Sequence, residues 1–215
     1  MTRNEIKKLL RARESLADSY KELILDSEII TLEDANNVYE KSRINIGEVI
    51  NLIDAELLKY VKENPVGIWL LKIKGMNSYI AAGLITYFSV KGKDCAAQFI
   101  RYAGSDNINN PHCRAVRKII DKFEKNFKLE NEDESLYKKL NKDEFFRILN
   151  KNEYEYDGEF VDIRTAHIKA DRYTRKIFLS HLFEEMYREE HNGALPARYN
   201  DDERIIIEPE VPYTK

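Results

Sequence analysis

Apolar residues fall at Ile6, Leu9, Leu10, Leu16, Ala17, Tyr20, Leu23 and Ile24, spacings of three, four and seven that trace one stripe along a helix. Just ahead of them Thr2-Arg3-Asn4-Glu5 reads as a capping box, in which the Glu reaches back to the N–H of the cap. A second start from Thr31 to Asp34 opens another stripe through Leu32, Val38, Tyr39, Ile46, Val49, Ile53, Leu57, Tyr60 and Val61. Together they predict a long helical hairpin over residues 1–63. Each helix has a wide apolar face, and two helices alone leave much of that surface in water. A covering surface, from the rest of the chain or from a second copy, is therefore implied, and the hairpin is the expected oligomerisation element.

Asn64 and Pro65 end the hairpin, and shorter apolar helices broken by glycine follow over 68–104. Residues 114–127 predict an amphipathic helix with Val116, Ile119, Ile120, Phe123 and Phe127 inward and Arg114, Arg117, Lys118, Lys122 and Lys125 outward. A short acidic connection over 129–135 leads to a helix from Leu136 to Leu149. The polar and aromatic run 150–162, with Gly158, reads as a loop or short hairpin. A last helix is expected from about Thr165 to Glu190, stopped by Asn192, Gly193 and Pro196, with an extended tail over 193–215. The fold class is all-α, with a helical unit over 64–192 and its acidic insertion near 129–162.

Composition narrows the class. With 43% hydrophobic and 34% charged residues, 8 Gly and 5 Pro in 215 residues, the chain is neither collagenous nor disordered, and one core is expected. No apolar run approaches the roughly 18–20 residues of a membrane span, and the charged start is unlike a signal peptide, so a soluble cytoplasmic protein with no membrane partner is expected. Two cysteines, Cys95 and Cys113, exclude a disulfide framework.

The net charge of −3 argues against a general nucleic-acid binder, but its distribution is uneven. Residues 65–128 carry 11 basic and 4 acidic side chains, whereas 129–162 carry 5 and 11. Concentrated positive charge points to an anionic partner of the central segment, against the plainer reading of a solvated basic face.

The centre of that segment reads as helix, tight turn, helix: Ile68 to Ile73, then Lys74 and Gly75, then Tyr79 to Phe88. A helix-hairpin-helix of this form offers backbone N–H groups at the start of its second helix to a phosphate, with a glycine allowing close approach. Lys72 and Lys74 flank the turn. A buried helix pair joined by a glycine turn is the structural alternative.

The string WLLKIKGMNSYIAAGLI, with QFIRYAG beyond it, resembles the C-terminal domain of insertion-sequence transposases that pair a DEDD-type RuvC-like domain with a serine-bearing helix-hairpin-helix domain. AHIKADRYTRKIFLSHL over 166–182, with PARY at 196–199, is similar to the final helix and tail of a short phage- and archaea-associated branch. The resemblance places the family's hairpin glycines on Gly75 and Asn77 and assigns the phosphate-facing amides to Asn77, Ser78 and Tyr79. Its Y-A-G turn falls on Tyr102, Ala103 and Gly104. In active members a basic, serine-containing loop follows; here that loop is the short stretch 105–111, with Ser105 as its sole serine and weak catalytic candidate. The RuvC-like acidic cluster has no counterpart in this sequence.

Other constellations carry less. Cys95, His112 and Cys113 lack the paired short spacing of a zinc site, and no metal or cofactor is expected. His181 and Glu185 stand one turn apart on what reads as a helix surface. Tyr154, Tyr156 and Phe160 are aromatic enough to stack on bases. Lys169, Arg172 and Lys176 make a basic stripe on the last helix.

The sequence thus leads to a non-catalytic DNA-binding protein of a phage or mobile element. Its expected contacts are Lys72, Lys74, Gly75, Asn77, Ser78, Tyr79, Lys91, Lys93, Arg101, Arg114, Arg117, Lys118, Lys169, Arg172 and Lys176. The alternatives are a helical module that binds a host or phage protein, and a residual serine recombinase or nuclease.

Overall fold

The computed structural model describes residues 1–29, 33–104, 114–129, 135–154, 162–194 and 207–212, excluding the side chains of 25–29, 33–36 and 151–154. Among these residues every regular element is a helix, so the fold is all-α.

The first box forms as its residues dictate: the Thr2 N–H donates to Glu5 Oε2 at 2.7 Å, and the Glu5 N–H to Thr2 Oγ1 at 3.3 Å. These bonds hold the Glu5 carboxyl below its usual range and launch α1 (Arg3–Ile29). Of the second box, at Thr31 to Asp34, Thr31 and Leu32 lie outside the described residues, as do the side chains of Glu33 and Asp34. Helix α2 (Glu33–Lys62) runs back antiparallel to α1, as two contacts show. Arg13 donates to both oxygens of Asp54 at 3.0 Å, and Gly47 lies beside Tyr20.

Asn64 then caps α3 (Pro65–Leu71), its Oδ1 accepting the Gly67 N–H at 3.2 Å while Pro65 fills the first turn, where a missing N–H costs nothing. Helix α4 (Ser78–Tyr87) is apolar all round and buried from Tyr79 through Thr86. Such a helix must be central. It packs against α1, α2, α3 and α6 (Arg114–Leu129), and Gly83 lets Ile119 of α6 come close. The carbonyls of Ile85 and Phe88 at its C-terminal end accept the Arg3 guanidinium at 3.3 and 2.7 Å.

Helix α5 (Ala97–Tyr102) sends Phe99 into the core between Phe88 and Phe183, with ring centroids at 4.7 and 5.1 Å. The sequence places a loop over 150–162, yet α7 (Leu136–Tyr154) continues through its first five residues, which contain neither Gly nor Pro to stop it. Asp162 caps α8 (Ile163–Glu190), accepting the Thr165 N–H at 2.6 Å. The helix ends where Asn192 and Gly193 turn left-handed, at φ 53° and 91°.

One core results, and it crosses the boundary expected at residue 63: Ile6, Leu10, Leu57 and Val61 of the hairpin are buried with Trp69, Phe88, Phe123, Tyr137 and Phe183. Leu57 is thus a body residue. Farther out the hairpin has only itself to pack on: Leu16, Tyr20, Leu23, Ile46 and Ile50 are half-buried, and Val38 and Val49, placed on the inward stripe by spacing alone, are 63% and 43% exposed.

The tail is expected to be extended, and its described part, 207–212, holds no helix and lies against the body. Trp69 Nε1 donates to the Val211 carbonyl at 3.0 Å, and His181 Nε2 lies 2.8 Å from that of Ile207. His181 and Glu185 are therefore 3% and 0% exposed rather than on a helix surface. Because Nε2 faces a carbonyl it carries the proton, and Nδ1 accepts from Tyr137 Oη at 2.9 Å. Burial pushes the Tyr137 phenol well up.

Candidate nucleic-acid interface

The turn between α3 and α4 is held by short local bonds, Ile73 N–H to Leu70 O at 2.9 Å and Met76 N–H to Ile73 O at 3.1 Å. Gly75 sits at φ +79°. A Cβ there would lie 2.7 Å from the Phe127 nitrogen and 2.9 Å from its Cα, so the C-terminal end of α6 presses directly on the turn. Asn126 fastens it, Nδ2 donating to the Gly75 carbonyl at 3.0 Å.

Asn77 does not take the left-handed conformation that a second hairpin glycine would. It is extended at φ −129° and serves as the N-cap of α4, its Oδ1 accepting the Ile80 N–H at 2.9 Å. That capping role satisfies one first-turn donor and leaves those of Ser78 and Tyr79 without a preceding helical carbonyl. An open cavity of about 290 Å³ at the turn is lined by Gly75, Met76, Asn77, Asn126 and Leu129.

The Tyr79 side chain turns inward, 4% exposed. Its ring lies under the Arg13 guanidinium at 4.8 Å and the Lys122 ammonium at 4.4 Å. Burial first, and the Glu14 carboxylate second, push its phenol up, and burial pulls the Lys122 ammonium down. Lys122, placed outward by spacing, is thus half-buried over a ring.

The remaining candidates divide between the two ends of α4. Gly75 meets Phe127, Tyr79 meets Lys122 and Gly83 meets Ile119, so α4 and α6 are antiparallel. Lys72 and Lys74 are exposed at the N-terminal end of α4. Lys91, Lys93, Arg101, Arg114 and Arg117 belong to the other end, roughly 15–20 Å away at 1.5 Å per helical residue. Lys93 there donates to the Ser89 carbonyl at 2.7 Å, and Lys118 pairs with Glu14 at 3.2 Å. The structure does not bring the two groups together.

It does bring α8, the helix that bears the other stripe, against the part of α6 that touches the hairpin turn. Lys128 of α6 bridges Glu124 at 2.8 Å and Asp171 at 2.7 Å, and Arg175 holds Glu124 and also Asp121 at 2.8 Å. Burial alone would raise the Asp171 carboxyl, but donation from Lys128 and Asn141 outweighs it and holds the group low. These bonds set the N-terminal half of α8 against the same part of α6 that touches Gly75, with Lys169 and Lys176 exposed and Arg172 half-buried. Lys125 is exposed on α6 one residue from Glu124, which meets α8, and one from Asn126, which meets the turn. Sequence reasoning placed Lys125 outward but had no means of joining it to either group.

Ser105, His112, Cys113, Tyr156, Phe160, the PARY segment and the acidic connection 130–134 lie outside the described residues, as does the side chain of Tyr154. Among the described residues no cluster of His, Cys, Asp or Glu could hold a metal ion, and no helix is long and apolar enough to cross a membrane. Compared with models of known protein families, with curated proteins and with solved structures, the chain matches none.

Proposed function

We propose that the chain binds DNA through its phosphates, without strand chemistry, over a surface made by the α3–α4 turn, Lys125 and the basic stripe of α8. One observation supports this reading: the C-terminal half of α6 touches both Gly75 and α8, so the elements that bear Lys72, Lys74, Lys125, Lys169 and Lys176 pack against one another. A phosphate backbone asks for such a set, whereas base edges ask for planar, bidentate groups placed for a groove. The resemblance to the helix-hairpin-helix domain of insertion-sequence transposases supports the same choice.

The test is fluorescence anisotropy with duplex, single-stranded and branched DNA across a salt series. If about four phosphates are neutralised, log K falls against log salt with a slope near −3.6 for duplex DNA. Lys72→Glu with Lys74→Glu should weaken all duplex sequences alike, and Lys169→Glu with Lys176→Glu should do the same. Absence of binding by the wild type at low salt would overturn the reading.

A second reading, a protein-interaction module, rests on a different observation. The distal hairpin exposes Val38, Ile44, Val49 and Leu52, large apolar side chains on one helix of a two-helix arm. Sedimentation of the wild type over a concentration series reads whether the partner is a second copy.

A further inference from the structure

Three of the four exposed large apolar residues of α2, Val38, Val49 and Leu52, share one face, with Ile44 off it. At about 100° per residue, Val38, Asn45, Val49 and Leu52 fall within a sector of about 60°, centred some 130° around the helix from the buried Leu57 and Val61. Lys41 and Glu48 border this sector, and both are exposed. Read along the helix, the order is apolar Val38, basic Lys41, polar Asn45, acidic Glu48, apolar Leu52. About Asn45 the apolar ends Val38 and Leu52 are symmetric, and the two charges stand on opposite sides within one residue of mirror positions.

An isologous interface needs that property, because each side chain must meet the complement that the same surface supplies. Turned about a two-fold axis through Asn45, the helix sets Val38 level with Leu52 of a second copy and Asn45 against Asn45. Lys41 comes level with Val49 and within one residue, about 1.5 Å of rise, of Glu48. A parallel pairing would instead oppose Lys41 to Lys41 and Glu48 to Glu48, which like charges disfavour.

We propose that two copies of this chain associate antiparallel through α2, about a two-fold axis at Asn45. The proposal deepens the protein-interaction reading and rests on it. A stripe some fifteen residues long covers less than the roughly 1,200 Å² of a standard interface, so the dimer should dissociate on dilution.

Sedimentation velocity of the full chain over a concentration series provides the test. Lys41→Glu or Glu48→Lys should each weaken association about fivefold, since each turns two attractive contacts repulsive. The double variant Lys41→Glu, Glu48→Lys should restore wild-type affinity. Leu52→Asp should give a monomer with an unchanged thermal melt, because Leu52 is 68% exposed. Asn45→Cys should oxidise to a crosslinked dimer. In crosslinking, Val38→Cys mixed with Leu52→Cys should join, and neither alone should. A wild type that is monomeric throughout overturns this proposal and leaves the protein-interaction reading only with a partner other than a second copy. Association that ignores Leu52→Asp, or that the double charge variant weakens further, overturns the antiparallel arrangement and leaves self-association standing.

Discussion

Replacing Gly75 by alanine separates two roles that a turn glycine can have. The first is conformational: at φ +79° an L side chain is strained by about 1 kcal/mol. The second is space, since the new Cβ would stand 2.7 Å from the nitrogen and 2.9 Å from the Cα of Phe127. Both are main-chain atoms in a helix, so no rotamer change relieves the contact, and α6 must move off the turn. Forced overpacking of this kind costs about 2 kcal/mol, and the total is about 3 kcal/mol. For a chain of this length that lowers Tm by about 6–12 °C. Gly92 supplies the control. It is left-handed at φ +67°, yet nothing lies within 4 Å of where its Cβ would be. Gly92→Ala should therefore lose only the strain, about 1 kcal/mol or 2–4 °C. Differential scanning calorimetry or urea midpoints measure both. Equal losses at the two positions would refute the argument that the hairpin turn is pressed against α6.

Asp171→Asn should destabilise the protein at pH 7 by weakening the bridge to Lys128. Because the fold lowers the Asp171 carboxyl, its contribution is complete above the ordinary carboxylate value of about 3.9 and is lost as pH falls through the lower folded value. Urea midpoints against pH should therefore fall more steeply for wild type than for the variant below about pH 4. Deleting residues 207–215 removes the carbonyls that accept from Trp69 and His181, and should cost about 2 kcal/mol or more through buried donors left unpaired. Trp69 is the single tryptophan and fully buried, so its emission should shift to the red on truncation. An unshifted spectrum would contradict the docking of the tail.

What the sequence made legible is local. The capping box at Thr2, Pro65 after Asn64, the turn at Gly75 and the inward set of α6 each depend on residues a few positions apart, and all appear where the spacing puts them. The outer half of α2 misled because periodicity reports that a helix has an apolar face, not what is there to cover it. Val38 and Val49 belong to a convincing stripe but sit at its edge, about 80–140° around the helix from the buried Leu57 and Val61. Lys122 looked solvated because no spacing rule announces a tyrosine on another helix, 43 positions earlier. His181 was misplaced for the same reason: the residues that bury it, Tyr137 and Ile207, lie 44 positions before and 26 after. Distances of that kind are set by packing, and one sequence carries no record of them. That α6 lies against both the hairpin turn and α8 was equally invisible, since it follows from where α6 crosses α4 and α8.

The surroundings of α4 also bear on which groups at the turn can hold a phosphate. At its far end Arg3 takes the Ile85 and Phe88 carbonyls, so that pole is neutralised within the chain. At the hairpin end Asn77 occupies the Ile80 amide, and the C-terminal pole of α6 lies alongside, because the two helices are antiparallel and Asn126 and Phe127 touch Gly75. The carbonyl end of one helix thus partly cancels the amide end of the other. An anion approaching the amides of Ser78 and Tyr79 meets a weaker field than an isolated helix would give it. Attraction at this surface must then come from the ammonium groups around it, with the amides setting position. Under the proposed DNA binding, the lysines are accordingly the side chains whose reversal tests the surface, and the salt slope would count how many of them a phosphate backbone engages.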